Sequence, residues 1–368
     1  MPIDGSGEIQ LSDIYNEFTG THDDEEIQLS DYHDTGNAPA SGEIQLAADF
    51  YGTSGSTWYG SREIFAGGDT APTSNGGAIG QQNTKTVTST SSASSYGYMT
   101  ASRHAFSAIS DGSYIWYFGG RTSLNVSLNI IEKKVFASSG NSSDVGDMSR
   151  RLYNTAAVSN GTRGVVGHGY ADQWGSPYQD AMNYLTFASD TSMTSFGTLR
   201  DPLVNSLAEG SATKGVFAGG RNSNGADRYY VDYITISSTG NYTSFGAFTG
   251  YNGATWGAAV GSDTRMWLCG GWGGSLGANM NQMHYITIAS TGNTTDAGNL
   301  HYFNYRMNGC SDGTKAEIAH GIAQESLGHS TYNVSTTSYW TISSTSNSVY
   351  GVTMGGWGLV DSEGAAGT

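Results

Sequence analysis

The chain has 368 residues, enough for one large domain or two ordinary ones and for a sizeable buried core. Gly is abundant at 53 residues, but 23 Tyr, 12 Phe and 8 Trp exclude the aromatic-poor composition of a disordered chain. A formal net charge of −16 argues against direct binding to a nucleic-acid backbone or an anionic membrane surface, and no apolar run reaches the roughly 18 residues of a membrane span.

Charge divides the chain. Residues 1–61 hold 12 acidic residues and no Lys or Arg, whereas the remainder balances 20 acids against 16 bases. The acidic region repeats a short unit: Glu8-Ile9-Gln10-Leu11-Ser12-Asp13, then Glu26-Ile27-Gln28-Leu29-Ser30-Asp31, then Glu43-Ile44-Gln45-Leu46. Ile and Leu two residues apart share one side of a short strand. Ser-Asp directly after them is a helix N-cap signal. A unit this short cannot bury its own apolar pair, so it needs a partner surface or its neighbours, or else folds as a small clasp against the chain's own second domain. Ile9, Leu11, Ile27, Leu29, Ile44 and Leu46 are therefore the candidate docking residues of an arm spanning 1–57.

From Trp58 a longer period takes over. Apolar strands close on paired glycines at Gly67-Gly68, Gly119-Gly120, Gly219-Gly220 and Gly270-Gly271, with degenerate copies at Gly167-His168-Gly169 and His320-Gly321. The second glycines are 52, 49, 51, 51 and 50 residues apart. Tyr233-Ile234-Thr235-Ile236-Ser237-Ser238-Thr239-Gly240-Asn241 returns from Tyr285 to Asn293 and again from Tyr339 to Asn347. A bend glycine keeps the same beat at Gly97, Gly146, Gly197, Gly246, Gly298 and Gly351. Six units of about 50 residues, each reading as four short antiparallel strands, are the size of kelch-type propeller blades. The expected fold is all-β: a six-bladed kelch-like β-propeller over 58–368, preceded by the arm. Paired glycines are expected near the axis, where blades crowd. The first unit, Arg62–Gly68, has no small-residue strand before it. Trp357–Ser362, resembling Trp256–Gly261, is expected to supply one and close the ring, which removes exposed sheet edges.

Chemistry is sparse along the chain. Cys269 and Cys310 have neither disulfide-framework nor metal-ligand spacing and read as small buried apolar residues of a protein made in a cytosol. His104, His168, His284, His301, His320 and His329 also lack ligand spacing, so no metal or cofactor is expected. Asp111-Gly112 and Asp312-Gly313 resemble part of a sialidase aspartate box but read as hairpin turns. No carboxylate pair of glycosidase type can be nominated, and no enzymatic activity is expected. Arg103, Arg151 and Arg200 fall at one end of the blades, where they either ring a channel mouth to catch an anion or sugar acid or satisfy carboxylates and carbonyls between blades. Trp174, Trp256, Trp272 and Trp357 are candidates for stacking on sugar rings or for packing between blades.

The Glu-Ile-Gln-Leu-Ser-Asp units, with Asp13-Ile14-Tyr15-Asn16-Glu17-Phe18 after the first and Asp49-Phe50-Tyr51-Gly52 after the third, resemble N-terminal repeats of tailed-bacteriophage virion proteins, especially those of cyanophages. The Phe-Ala-Gly-Gly and Tyr-Ile-Thr-Ile-Ser-Ser-Thr-Gly-Asn units are similar to kelch-like repeats of phage structural and tail-fibre proteins. The resemblance covers nearly the whole chain and implies a virion protein in several copies. Its arm would dock on other virion proteins, and its propeller would face a host-surface glycan, a receptor or another protein. Ala47-Ala48 in place of Ser before Asp49 in the third arm unit departs from the pattern. The family pattern brings no catalytic residue. Two rivals to host attachment stand beside it: a polysaccharide depolymerase or glycosidase of tailspike type, and a purely architectural head, neck or baseplate decoration.

Overall fold

In the computed structural model the chain divides into two units, Met1–Thr57 and Trp58–Thr368. The described residues are 58–368, apart from 71–76, 88, 173–176, 190, 251–254, 275–276, 320, 325–331, 355–358, 360 and 362. The second unit is all-β: six four-stranded antiparallel sheets stand in a ring, a six-bladed β-propeller.

Blade one is Arg62–Ala66, Gln81–Thr86 and Ser94–Tyr98, with Glu363–Gly367 as its innermost strand. The innermost strands of blades two to six are Ser107–Ser110, Ala156–Ser159, Leu207–Gly210, Ala258–Gly261 and Asn308–Ser311. Each lies beside the innermost strands of both neighbouring blades, around the full circle. Their Ser, Ala and Gly content follows from that crowding, since six backbones converge on one axis. The second strands, such as Tyr114–Phe118 and Arg265–Cys269, are buried from their second residue onward, because a blade is covered on both faces. Among the strands, the outermost carry most of the exposed residues, as in Ser143–Asp147.

The strand beside Arg62–Ala66 is not Trp357–Ser362. Glu363–Gly367 takes that place, with Arg62 opposite Gly367 and Ala66 opposite Glu363. The Trp-Gly likeness to Trp256-Gly257 misplaced the register, whereas Gly364-Ala365-Ala366 supplies the small residues that an axial strand needs.

The core is divided into layers between blades. Val158, Val165, Met182, Phe217 and Ile234 fill the seam between blades three and four. Trp116, Leu152, Val166 and Leu185 fill that between two and three. The seam between blades six and one contains Phe65, Val87, Cys310, Ala319, Met354 and Ala366.

Two of the periodic markers are halves of one contact. The Asn of the Ser-Thr-Gly-Asn turn accepts a backbone N–H from the residue after the preceding blade's bend glycine. Asn141 accepts from Tyr98 at 3.1 Å, Asn241 from Thr198 at 3.0 Å, Asn293 from Ala247 at 3.0 Å and Asn347 from Asn299 at 2.9 Å. A Cβ on Gly97 would stand 1.8 Å from the carbonyl oxygen of Gly140, so the bend admits only glycine. The glycine pairs have a different cause. Gly67 and Gly68 adopt φ of 60° and 105°, and His168, replacing the first glycine in blade three, adopts 57°. The position demands a left-handed backbone as well as space.

Candidate functional site

The innermost strands enclose a cavity of about 140 Å³ along the axis. One end is filled by Trp58 and Tyr59, whose rings stack with centroids 5.0 Å apart. The Trp58 carbonyl accepts a hydrogen bond from Ser110 Oγ, and Gly161 packs against the indole. Glu209 and Asp263 stand near this end. Burial pushes the Glu209 carboxyl up to about 7, opposed by the Gly210 N–H and aided by Asp263. Burial likewise lifts Asp263 to about 6, against the Ala212 N–H. Burial also raises the Tyr59 hydroxyl, with Glu209 and Asp263 adding to it. No Lys or Arg lines this cavity.

The other end is an open mouth built on an unusual ring. Ala105, Asn154, Asn205, Trp256, Arg306 and Asp361, one per blade and just ahead of each innermost strand, all have φ between 51° and 56°. Each donates its backbone N–H to the carbonyl of the equivalent residue one blade back. The distances are 2.9 Å from Ala105 to Asp361, 2.7 Å from Asn154 to Ala105 and 3.3 Å from Asn205 to Asn154. The circle continues with 3.2 Å from Trp256 to Asn205, 2.8 Å from Arg306 to Trp256 and 3.2 Å from Asp361 to Arg306. Asn and Asp tolerate left-handed backbone, but Trp, Arg and Ala do so at a cost of about 1–2 kcal/mol each. Six hydrogen bonds in a closed circle offset that strain.

Side chains at this mouth combine an aromatic plate with mixed charge. Arg306 lies 5.6 Å from the Trp256 ring centroid and Arg221 lies 6.0 Å from it. Arg306 Nη1 is 3.5 Å from Asp361 Oδ2. Tyr305 packs on Trp256 and Trp272, with centroids 6.3 and 5.5 Å apart. Below the ring, Glu363 faces a small cavity of about 60 Å³ shared with Asp361, Arg306 and Trp256. Burial, with Asp361 nearby, raises the Glu363 carboxyl well above its ordinary range.

Of the residues nominated from sequence, Arg103 is wholly buried in the seam between blades one and two. It lies 3.2 Å from Glu132 and donates to the Gly119 carbonyl at 2.8 Å. Arg200 is partly exposed and pairs with Asp232, its Nε 3.0 Å from Oδ2, while stacking over Tyr230 and Tyr242. Arg151 is exposed. None of the three lines the axial cavity or the mouth. The candidate docking residues Ile9, Leu11, Ile27, Leu29, Ile44 and Leu46, and also Trp174 and Trp357, lie outside the described residues. Asp111 and Asp312 sit in tight turns: each accepts two backbone N–H groups, and Asp111 also accepts the Trp116 indole N–H at 2.7 Å. The ring was missed in sequence, although its six residues share the blade period. What defines the position is its backbone conformation, and its side chains have nothing in common.

Comparison with protein-family models gives no match to the chain, and a search of curated protein sequences gives none either. Among the described residues, no helix is long and apolar enough to cross a membrane, and no group of three or more His, Cys, Asp or Glu is arranged to hold a metal ion.

Proposed function

We propose that the chain is a structural component of a bacteriophage particle, docked on other virion proteins through residues 1–57 and presenting its propeller for contact with a host surface or another protein. The blades are of kelch-like type, and the C-terminal strand closes their ring. The observation that carries the reading is the arm: three near-identical units with same-side Ile/Leu pairs, flanked by 12 carboxylates and free of Lys or Arg through residue 61. Such a surface favours a partner with apolar pockets edged by basic residues, where charge steers docking and apolar burial holds it. The propeller's own chain begins at Trp58, which fills the axis at the end opposite the Trp256 mouth. Replacing Ile9, Leu11, Ile27, Leu29, Ile44 and Leu46 with Ser is expected to give a folded, soluble propeller absent from purified particles. Incorporation at normal copy number would remove the arm as anchor.

One observation favours a second reading, glycoside hydrolysis. Asp361 and Glu363 share one cavity, one carboxyl beside an Arg and the other raised by burial, and two acids in divergent environments are how glycosidases divide base and acid roles. Against it stands size: about 60 Å³ is far below the roughly 300 Å³ at which ligand pockets begin, so a glycosidic linkage does not reach Glu363. We therefore favour binding without cleavage. Host-surface polysaccharide incubated with the purified chain is expected to stay intact. Release of reducing ends, abolished by Glu363→Gln, would promote the hydrolase.

A further inference from the structure

We propose that the axial mouth binds a single neutral pyranose unit, stacked on Trp256 and hydrogen-bonded by Asp361, Arg306, Asn154 and Asn205. This narrows the surface contact proposed above to a ligand class, and rests on that reading only for the assumption that the mouth is presented to a host.

Preorganisation is the first argument. Left-handed backbone at non-glycine residues is costly and gathers at functional sites. Here six such residues form one ring, each fixed by its neighbour's carbonyl, so the side chains they carry start from a rigid base. A rigid base lowers the ordering cost of binding.

Composition is the second. A pyranose offers an apolar C–H face and a rim of hydroxyls that each donate and accept. The partly exposed Trp256 ring suits the first. The rim needs donors and acceptors side by side, which Asn, Arg and Asp supply. Those groups are not consumed by the fold. Among the described residues no hydrogen bond reaches the side-chain amide of Asn154 or Asn205, and Arg306 Nε is buried without a hydrogen-bond partner. The 3.5 Å between Arg306 and Asp361 is longer than the roughly 2.7–2.9 Å of a full charge-assisted bond, which leaves both with capacity for a ligand.

Charge narrows the class. An anionic ligand meets the Asp361 carboxylate, and a cationic one meets Arg306 and Arg221, which already lie against Trp256. An uncharged polyol is opposed by neither. The small volume below the ring sets the pose: the sugar lies across the mouth and sends at most one hydroxyl towards Glu363.

Saturation-transfer NMR on the full chain tests this, using methyl glycosides of glucose, galactose, mannose and N-acetylglucosamine, with methyl glucuronate and choline as charged probes. At least one neutral glycoside is expected to bind in the millimolar range and to outcompete both charged probes. Trp256→Ala is expected to weaken it at least tenfold. Asn205→Asp, which keeps a residue tolerant of left-handed backbone, is expected to weaken it severalfold with the melting temperature unchanged. Failure of all four neutral glycosides, preference for a charged probe, or undiminished binding by both variants would overturn the site. Particle incorporation reads the other proposal separately: Trp256→Ala is expected to enter particles normally, whereas the six-Ser arm variant is expected to bind sugar and stay out of them.

Discussion

Two seams of the propeller solve the same packing problem with different chemistry. Between blades three and four the faces meet through Val158, Val165, Met182, Phe217 and Ile234. Between blades six and one the buried layer also contains Glu63, Lys85, Glu317 and Cys310. Lys85 Nζ lies 3.1 Å from Glu63 and 2.7 Å from Glu317, with side-chain exposures of 2% for the Lys and 0% for both acids. The Cys310 thiol lies 2.6 Å from Glu63 Oε2. An apolar seam is indifferent to pH and tolerant of volume-conserving exchange. A buried ion cluster is sensitive to both charge and partner, and in exchange it discriminates between strands that would otherwise pair equally well. The difference shows that a ring of similar repeats need not be uniform in what holds it.

The strongest way to break the comparison is to remove one side of the special seam. Deleting Glu363–Thr368 strips blade one of its innermost strand and leaves Arg62–Ala66 an open edge. It also removes Ala365 and Ala366 from the layers on either side of blade one. A loss of well over 5 kcal/mol is expected, seen as a collapse of cooperative thermal unfolding by calorimetry. Truncation with an unchanged melting temperature would mean that the C-terminal strand does not hold the ring.

Next in size is Lys85→Met. It leaves two carboxyl groups facing each other in a dry seam, and breaking a buried pair in this way costs about 3–5 kcal/mol. The triple change Glu63→Gln, Lys85→Met, Glu317→Gln removes the charges together and is expected to recover most of that loss in urea titration. If the single and triple variants are equally unstable, the cost is shape and not charge.

The seam should also titrate. Burial, reinforced by Glu317 and opposed by Lys85 and Cys310, lifts the Glu63 carboxyl from 4.5 to about 8. The folded chain therefore holds a proton that the unfolded chain has released between these values. Stability from this group is fully present below about 4.5 and is lost as pH rises to about 8, at about 1.4 kcal/mol per pH unit. Glu209 and Asp263 add slope of the same sign below about 7 and 6. The informative quantity is thus the difference between wild type and Glu63→Gln, which should grow steadily from pH 5 to 8 in favour of the variant. Ile234→Val, in the apolar seam, should cost about 1 kcal/mol at every pH. Parallel curves for wild type and Glu63→Gln would show that Glu63 does not titrate on folding.

What could be read from sequence, and what could not, divides along the same physical line. The blade count was legible because glycine is forced at two places in the repeat, once by a left-handed backbone and once, in four of the blades, by the Asn turn of the next blade. Steric requirements leave a single-residue trace. The cross-blade cations were missed: Arg62, Arg163, Lys214 and Arg265 open their strands and donate to Phe136, Ile236, Ile288 and Ile342 carbonyls of the next blade. They are periodic, but each partner is a backbone oxygen that no residue type reveals. The seam cluster was illegible for another reason, since Glu63 and Glu317 are 0% exposed in strands that read as apolar. The mouth escaped because only its backbone repeats, and Arg103, placed there from chain position, turned inward to meet Glu132.

The cross-blade Asn contact offers a smaller, local test. Asn241→Ala removes the acceptor for Thr198 N–H and Oγ1 at an exposed edge between blades three and four. Water can replace it there, so about 1 kcal/mol is expected, with faster amide exchange confined to Thr198 and its neighbours. Global protection loss would mark the turn as a keystone of the whole ring.

The smallest effect should come from a charged pair at the rim of the apolar seam. Arg200 and Asp232 join blades three and four as Arg103 and Glu132 join blades one and two, through acids at the same place in their third strands. Exposure separates them: the Arg200 side chain is 30% exposed and Arg103 is 0% exposed. Solvent screens the first pair and not the second, and Arg200 also spreads over Tyr230 and Tyr242, contacts that a Met side chain partly restores. Arg200→Met is therefore expected to cost at most about 1 kcal/mol, and less at high salt. Arg103→Met leaves Glu132 buried with only hydroxyl and N–H partners from Thr100 and Ser142, and should cost about 3 kcal/mol or more. Urea titration of both variants at low and high salt decides the matter. Equal losses would mean that burial does not set the worth of these pairs, and the contrast between charged and apolar seams would then need another cause.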